Sequence, residues 1–112
     1  MVVVFGINVE VIMTRYYLEV LKDDISICVD SDINYHHDFE VGDIIDINMY
    51  IDKGPKVVFG EFEYDAQFIL GWDKSQSRMR VGRLTVDWCI NNGYLCDITI
   101  QVERDRKLGL LL

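Results

Sequence analysis

Apolar and polar residues alternate with a period of two through much of this chain. In "IDINMYID", Ile45, Ile47, Met49 and Ile51 fall on one side, and Asp46, Asn48, Tyr50 and Asp52 on the other. "CDITIQVE" sets Cys96, Ile98, Ile100 and Val102 against Asp97, Thr99, Gln101 and Glu103, and "VFGEFEYD" sets Val58, Phe62 and Tyr64 against Glu61, Glu63 and Asp65. Successive side chains of a strand point to opposite faces, so this alternation predicts half-buried antiparallel strands. In "RMRVGRLTVDW" the phase changes at Gly82: Met79 and Val81 share one phase, while Leu84, Val86 and Trp88 take the other. A glycine at such a change predicts a bulge, as at a barrel corner. "TRYYLEVLKDD" suits a helix through Arg15 and Glu19, four residues apart, but its tyrosines and valine favour a strand. The tail "ERDRKLGLLL" reads as a final strand or a short helix, and Gly109 weakens the helix.

Turn signals fall at 22–24, 52–55, 72–77 and 91–93. Their spacing predicts an all-β domain over residues 1–112, a small antiparallel β-sandwich or partly open β-barrel of roughly seven to nine strands with little helix. Asn92-Gly93 is the strongest short hairpin signal in the chain. A two-residue loop there places Cys89 directly opposite Cys96, with Cα atoms about 4.5 or about 5.5 Å apart according to the pair type.

Composition narrows the class. Half of the 112 residues are apolar and 12% are aromatic, enough for one packed core. Three cysteines, Cys28, Cys89 and Cys96, are an odd number and do not complete a disulfide framework. In a reducing compartment they are expected to pack as thiols. No apolar run reaches the ~18 residues of a membrane-spanning helix. The opening "MVVVFGINVEVIM" has no basic n-region and carries Glu10, so it reads as a strand rather than a secretory signal. The expected location is cytoplasmic.

The charge is unevenly spread. The net charge is −8, which disfavours direct nucleic-acid binding. Nine acids and no Lys or Arg lie between Asp23 and Asp52, whereas residues 53–112 carry nine basic and eight acidic residues. The centre of the acidic region is "VDSDINYHHDFEVGD", with five carboxylates and two adjacent histidines. Asp30, Asp32, Asn34, His36 and Asp38 fall at alternate positions, like the start of an EF-hand loop. The sixth position, however, is Tyr35 instead of Gly, and the twelfth is Val41 instead of a bidentate Glu. His36 and His37 point apart on an extended chain, so at most one could join a zinc site. No metal and no cofactor is expected.

Enzyme constellations are thin. No serine lies in a G-x-S-x-G elbow, and no glycine-rich loop cradles a phosphate. Cys28 and His36 form a Cys–His pair only if the fold brings them together. The basic run Lys74, Arg78, Arg80 and Arg83 suits a phosphate or an acidic partner. It also suits outward strand positions, where Arg78 and Arg80 would pair across strands with Glu61 and Glu63.

The outline "DDISICV…FEVGDIIDINMYI…RMRVGRLTVDW" resembles PilZ domains, small β-barrels that bind cyclic-di-GMP through an R-x-x-x-R run and a later D/N-x-S-x-x-G. Asp24, Ser26 and Val29 occupy the second pattern, with Val in place of Gly. Arg15 is the one upstream arginine, and Glu19 stands where the second would be, so the guanidinium pair that would hold phosphate is missing. The resemblance implies a degenerate nucleotide-sensing barrel as an alternative function, beside a structural subunit of a larger assembly.

The leading expectation is a non-enzymatic acidic binding module, of the inhibitor or immunity type. It would occlude a basic partner such as a nuclease or another nucleic-acid enzyme. The residues expected to bind that partner are Asp30, Asp32, Asp38, Glu40 and Asp43, with Tyr35 as an aromatic anchor.

Overall fold

The structure is a computed structural model and describes residues 13–29, 36–71 and 78–111. Among these residues, β1 (Met13–Val20), β4 (Ile44–Tyr50), β5 (Gly54–Phe59), β6 (Phe62–Tyr64) and β9 (Leu95–Asp97) form one sheet in the order β6-β5-β4-β1-β9. The second sheet holds β2 (Ile25–Val29), β3 (His36–Asp38), β7 (Ala66–Leu70) and β8 (Arg78–Arg80), in the order β3-β2-β7-β8. Every pairing is antiparallel. Two helices, α1 (Arg83–Asn91) and α2 (Thr99–Leu111), complete the described elements. The molecule is mostly β, and its sheets do not close into a barrel.

The alternation places the core. Leu18, Val20, Ile45, Ile47, Val57 and Leu95 point inward from the five-stranded sheet and meet Ile25, Ile27, Ala66, Phe68 and Leu70 from the other. Phe39, Val81, Val86 and Cys89 close the same cluster. Each fully buried Leu, Ile or Phe contributes about 1.5–3 kcal/mol relative to exposure, so this two-sided layer is the main stabilising element. Ile51, the last apolar position of "IDINMYID", lies beyond β4 in a turn and is 78% exposed.

Four local expectations are corrected. "VFGEFEYD" is a hairpin and not one strand: Phe59 pairs with Phe62, and Gly60, at φ 64°, takes the first loop position, where a primed hairpin turn needs positive φ. "CDITIQVE" is strand only as far as Asp97. The Asp97 carboxylate accepts the Thr99 amide (3.0 Å) and the Thr99 hydroxyl (2.5 Å), which turns the chain into α2. The helix is then pinned to β1, because Ile98 N–H donates to the Tyr17 carbonyl and Tyr17 N–H donates to Thr99 Oγ1.

The third correction concerns Asn92-Gly93 and the two cysteines. "RLTVDWCIN" is helical, and its buried side follows i, i+3, i+4 spacing through Val86, Cys89 and half-buried Ile90. Gly82 is the extended residue before this helix and makes no bulge. Asn92-Gly93 ends the helix instead of turning a hairpin. Gly93 N–H donates to the Ile90 carbonyl and Tyr94 N–H to the Cys89 carbonyl, the paired bonds of a Schellman cap. A type I′ hairpin needs positive φ at both loop residues, but Asn92 sits at φ −99° and only Gly93 (φ 79°) is left-handed. Cys89 therefore faces the core from α1. Cys96 pairs with Glu19 on the opposite face of the sheet from its core-facing neighbour Leu95. The three cysteines are not joined in a disulfide.

Two outcomes test this arrangement. Gly93→Ala forces a left-handed alanine where the new Cβ meets only the Lys22 side chain at ordinary contact distance. Urea denaturation should therefore show a loss of about 1 kcal/mol from backbone strain alone. Burial pushes the Cys89 thiol up to about 11, and Cys28 is also fully buried. A thiol-exchange reagent at neutral pH should label half-buried Cys96 first, and Cys96→Ser should remove that fast phase.

Candidate functional site

β3 is three residues long and, among the described residues, lies at the edge of its sheet against β2. Its register sets Asp38 opposite Ser26, His37 opposite Ile27 and His36 opposite Cys28. His36 and Asp38 thus share one face, with His36 Nε2 3.7 Å from the Asp38 carboxylate. Ser26 is fully buried, and its hydroxyl donates to Asp38 Oδ1 at 2.5 Å. This fixes one carboxylate oxygen of an otherwise exposed acid. His37 faces the other way. Its ring meets Phe39 edge-on at 4.8 Å and lies 5.7 Å from Phe59. Phe39 is buried and anchors the chain, so Asp38 and Glu40 on either side of it are held outward.

The sequence "EVGD" follows as a tight turn. Asp43 N–H donates to the Glu40 carbonyl (3.0 Å), and Glu40 N–H donates to Asp43 Oδ2 (2.9 Å). Gly42 adopts φ 97°, which a side chain would strain, and its N–H donates to the Val20 carbonyl (2.9 Å). Half-buried Asp43 is therefore both an acid and the clasp of its own turn.

One further acid of the region is neutralised directly. Arg15 grips Asp46 with two bonds, Nε to Oδ1 at 2.9 Å and Nη2 to Oδ2 at 2.5 Å. The paired carboxylate raises the Arg15 pKa, mainly through the hydrogen bond. The guanidiniums of Arg15 and Arg106 lie 5.0 and 5.6 Å from the centroid of the buried Tyr17 ring, so α2 and β4 are both fastened around β1. Sequence reasoning missed this pair. Arg15 and Asp46 are 31 residues apart, and their meeting depends on the β1–β4 register.

The sequence-predicted site residues divide as follows. Asp38, Glu40 and Asp43 lie together on β3 and the turn after it. Asp30, Asp32 and Tyr35 lie outside the described residues, as do most positions of the EF-hand comparison. Among the described residues no group of three His, Cys, Asp or Glu is placed to hold a metal ion, and no helix is long and apolar enough to cross a membrane. The fold does set Cys28 beside His36, but the thiol is completely buried. Arg78 and Arg80 are exposed on β8, in a different sheet from the β5–β6 hairpin, and do not pair with Glu61 and Glu63. Glu63 instead accepts from Tyr50 Oη (2.6 Å) and Asn48 Nδ2 (2.9 Å). The residues matching the PilZ pattern are separated: Arg15 lies in the five-stranded sheet and is taken by Asp46, while Ser26 lies in the other and is taken by Asp38. No family model matches this chain, and no curated protein or solved structure was found to be similar to it.

The Tyr50 and Asn48 hydrogen bonds hold the Glu63 carboxyl below its ordinary range. A carboxylate depressed by folding adds stability above its unfolded pKa and loses it as pH falls through the folded value. Tyr50→Phe removes the first of these bonds. An NMR pH titration should show the Glu63 midpoint move upward, and an unmoved midpoint would show that the bond is not formed in solution.

Proposed function

We propose that this chain is a non-enzymatic protein-binding module whose acidic 23–52 region engages and occludes a basic, nucleic-acid-processing partner in the cytoplasm. The observation that carries this reading is the outward display of Asp38 and Glu40 from either side of buried Phe39, on a short edge strand and its following turn. Asp23 and Asp52 of the same region are also exposed. A surface carrying this much negative potential steers a cationic partner into encounter and resembles, in charge, the phosphate backbone such a partner binds. The clasp at Asp43 and the Ser26 bond to Asp38 favour binding because the acids are partly ordered beforehand. The reading calls for no cofactor and no direct contact with nucleic acid.

The test is capture of host-lysate proteins at low and high salt by the wild-type chain and by a variant with Asp30, Asp32, Asp38, Glu40 and Asp43 changed to their amides. A basic partner should be captured at low salt and lost at high salt. The amide variant should associate about tenfold or more slowly, with a smaller change in dissociation. Association of that variant at the wild-type rate at low salt would overturn the reading.

A further inference from the structure

The two ladders of β4 do not end together. β4 stays paired to β1 as far as Glu19↔Ile44, but its pairing to β5 stops at Asp46↔Val58. β5 continues to Phe59, which is already turned toward Phe62. A cleft of about 360 Å³ opens where the strands part, and His37 and Phe39 of the facing segment wall it. Phe59, Val58, Asp43 and Asp46 also line it. The lining therefore combines aromatic residues with two acidic ones, Asp43 and Asp46, and the Asp46 carboxylate is already paired with Arg15.

Size and chemistry restrict the occupant. The volume is near the lower limit of the ~300–1,000 Å³ range of small-molecule sites, which suits one long side chain better than a nucleotide. Aromatic faces beside carboxylates favour a cation, and a planar one best, because a guanidinium can stack on a ring while its N–H groups reach an acid. Both acids are already positioned. Arg15 holds Asp46, and the Glu40 amide holds Asp43 by Oδ2, leaving Oδ1 open among the described residues. We infer that the cleft is the socket for an arginine side chain of the protein partner, with the guanidinium against Phe59 and His37 and bonded to Asp43. The inference rests on the binding function proposed above and names the group that the partner inserts.

The probe is the capped tripeptide acetyl-Gly-Arg-Gly-amide, added to the ¹⁵N-labelled full chain and followed by amide chemical shifts. Its lysine and citrulline counterparts serve as controls. Saturable shifts are expected at His37, Phe39, Asp43 to Asp46 and Val57 to Phe59. Citrulline, which keeps the shape without the charge, should give none, and lysine should bind several-fold more weakly. Asp43→Asn keeps an oxygen for the Glu40 amide but removes the charge, and should weaken the arginine peptide by about fivefold or more. Phe59→Leu keeps apolar bulk and should do the same by removing the ring. Glu103→Gln, exposed on α2 and outside the cleft, should change binding by less than about twofold at physiological salt. Far-UV circular dichroism reports whether each variant folds, and the citrulline comparison needs no variant. Equal shifts with citrulline, or cleft amides unmoved at about 10 mM arginine peptide, would overturn the inference. The two readings can fail separately. If the acidic face captures a partner while the peptide leaves the cleft unmoved, only the socket is wrong. If the peptide fills the cleft and Asp43→Asn weakens it, while the five-amide variant associates with the captured partner as wild type, the cleft binds arginine but the acidic-surface function is wrong.

Discussion

Two successive backbone amides, those of Val20 and Leu21, hold together parts of the fold that meet where the ladders end. Val20 donates to the Asp43 carbonyl and its own carbonyl accepts from Gly42, while Leu21 donates to the Tyr94 carbonyl. The acidic turn and the chain leaving α1 are thus tied to the same point of β1, just before the chain crosses to the second sheet. Val20 is fully buried, so water does not compete for its bonds, and losing one would leave a desolvated polar group. The position of Asp43, and with it one side of the cleft, follows from this junction.

That junction also bears on how so many acids are tolerated in one region. Like charges repel across a folded surface. Three of these carboxylates are compensated by donors of different kinds: Asp38 by a buried serine hydroxyl, Asp43 by a backbone amide, Asp46 by an arginine. Asp46 meets a full opposite charge in Arg15. Asp38 and Asp43 accept from donors that carry no charge of their own, and an acid ordered in this way loses less freedom on binding.

The strands of the core were legible because a period-two pattern depends only on which side of the sheet is buried. Ile45 and Ile47 needed no knowledge of their partners. The misreadings all arose where a local signal fits two backbones. Asn-Gly serves a hairpin or a helix end, and only tertiary packing of Val86 and Cys89 decides for the helix. Thr99 alternates correctly for a strand, yet Asp97 captures its amide and starts a helix. The acidic stretch was visible from composition. The cleft beside it was not, since it depends on where two ladders separate, a property of register between segments distant in sequence.

The brevity of β3 has a consequence for the chain's behaviour in company. An edge strand offers unpaired backbone groups to any other extended chain, and long apolar edges invite sheet-to-sheet polymerisation. β3 runs for only three residues, all of them exposed and polar, His36, His37 and Asp38. Brevity and charge are the two features that make an edge strand resist sheet-to-sheet pairing, and the described β3 has both.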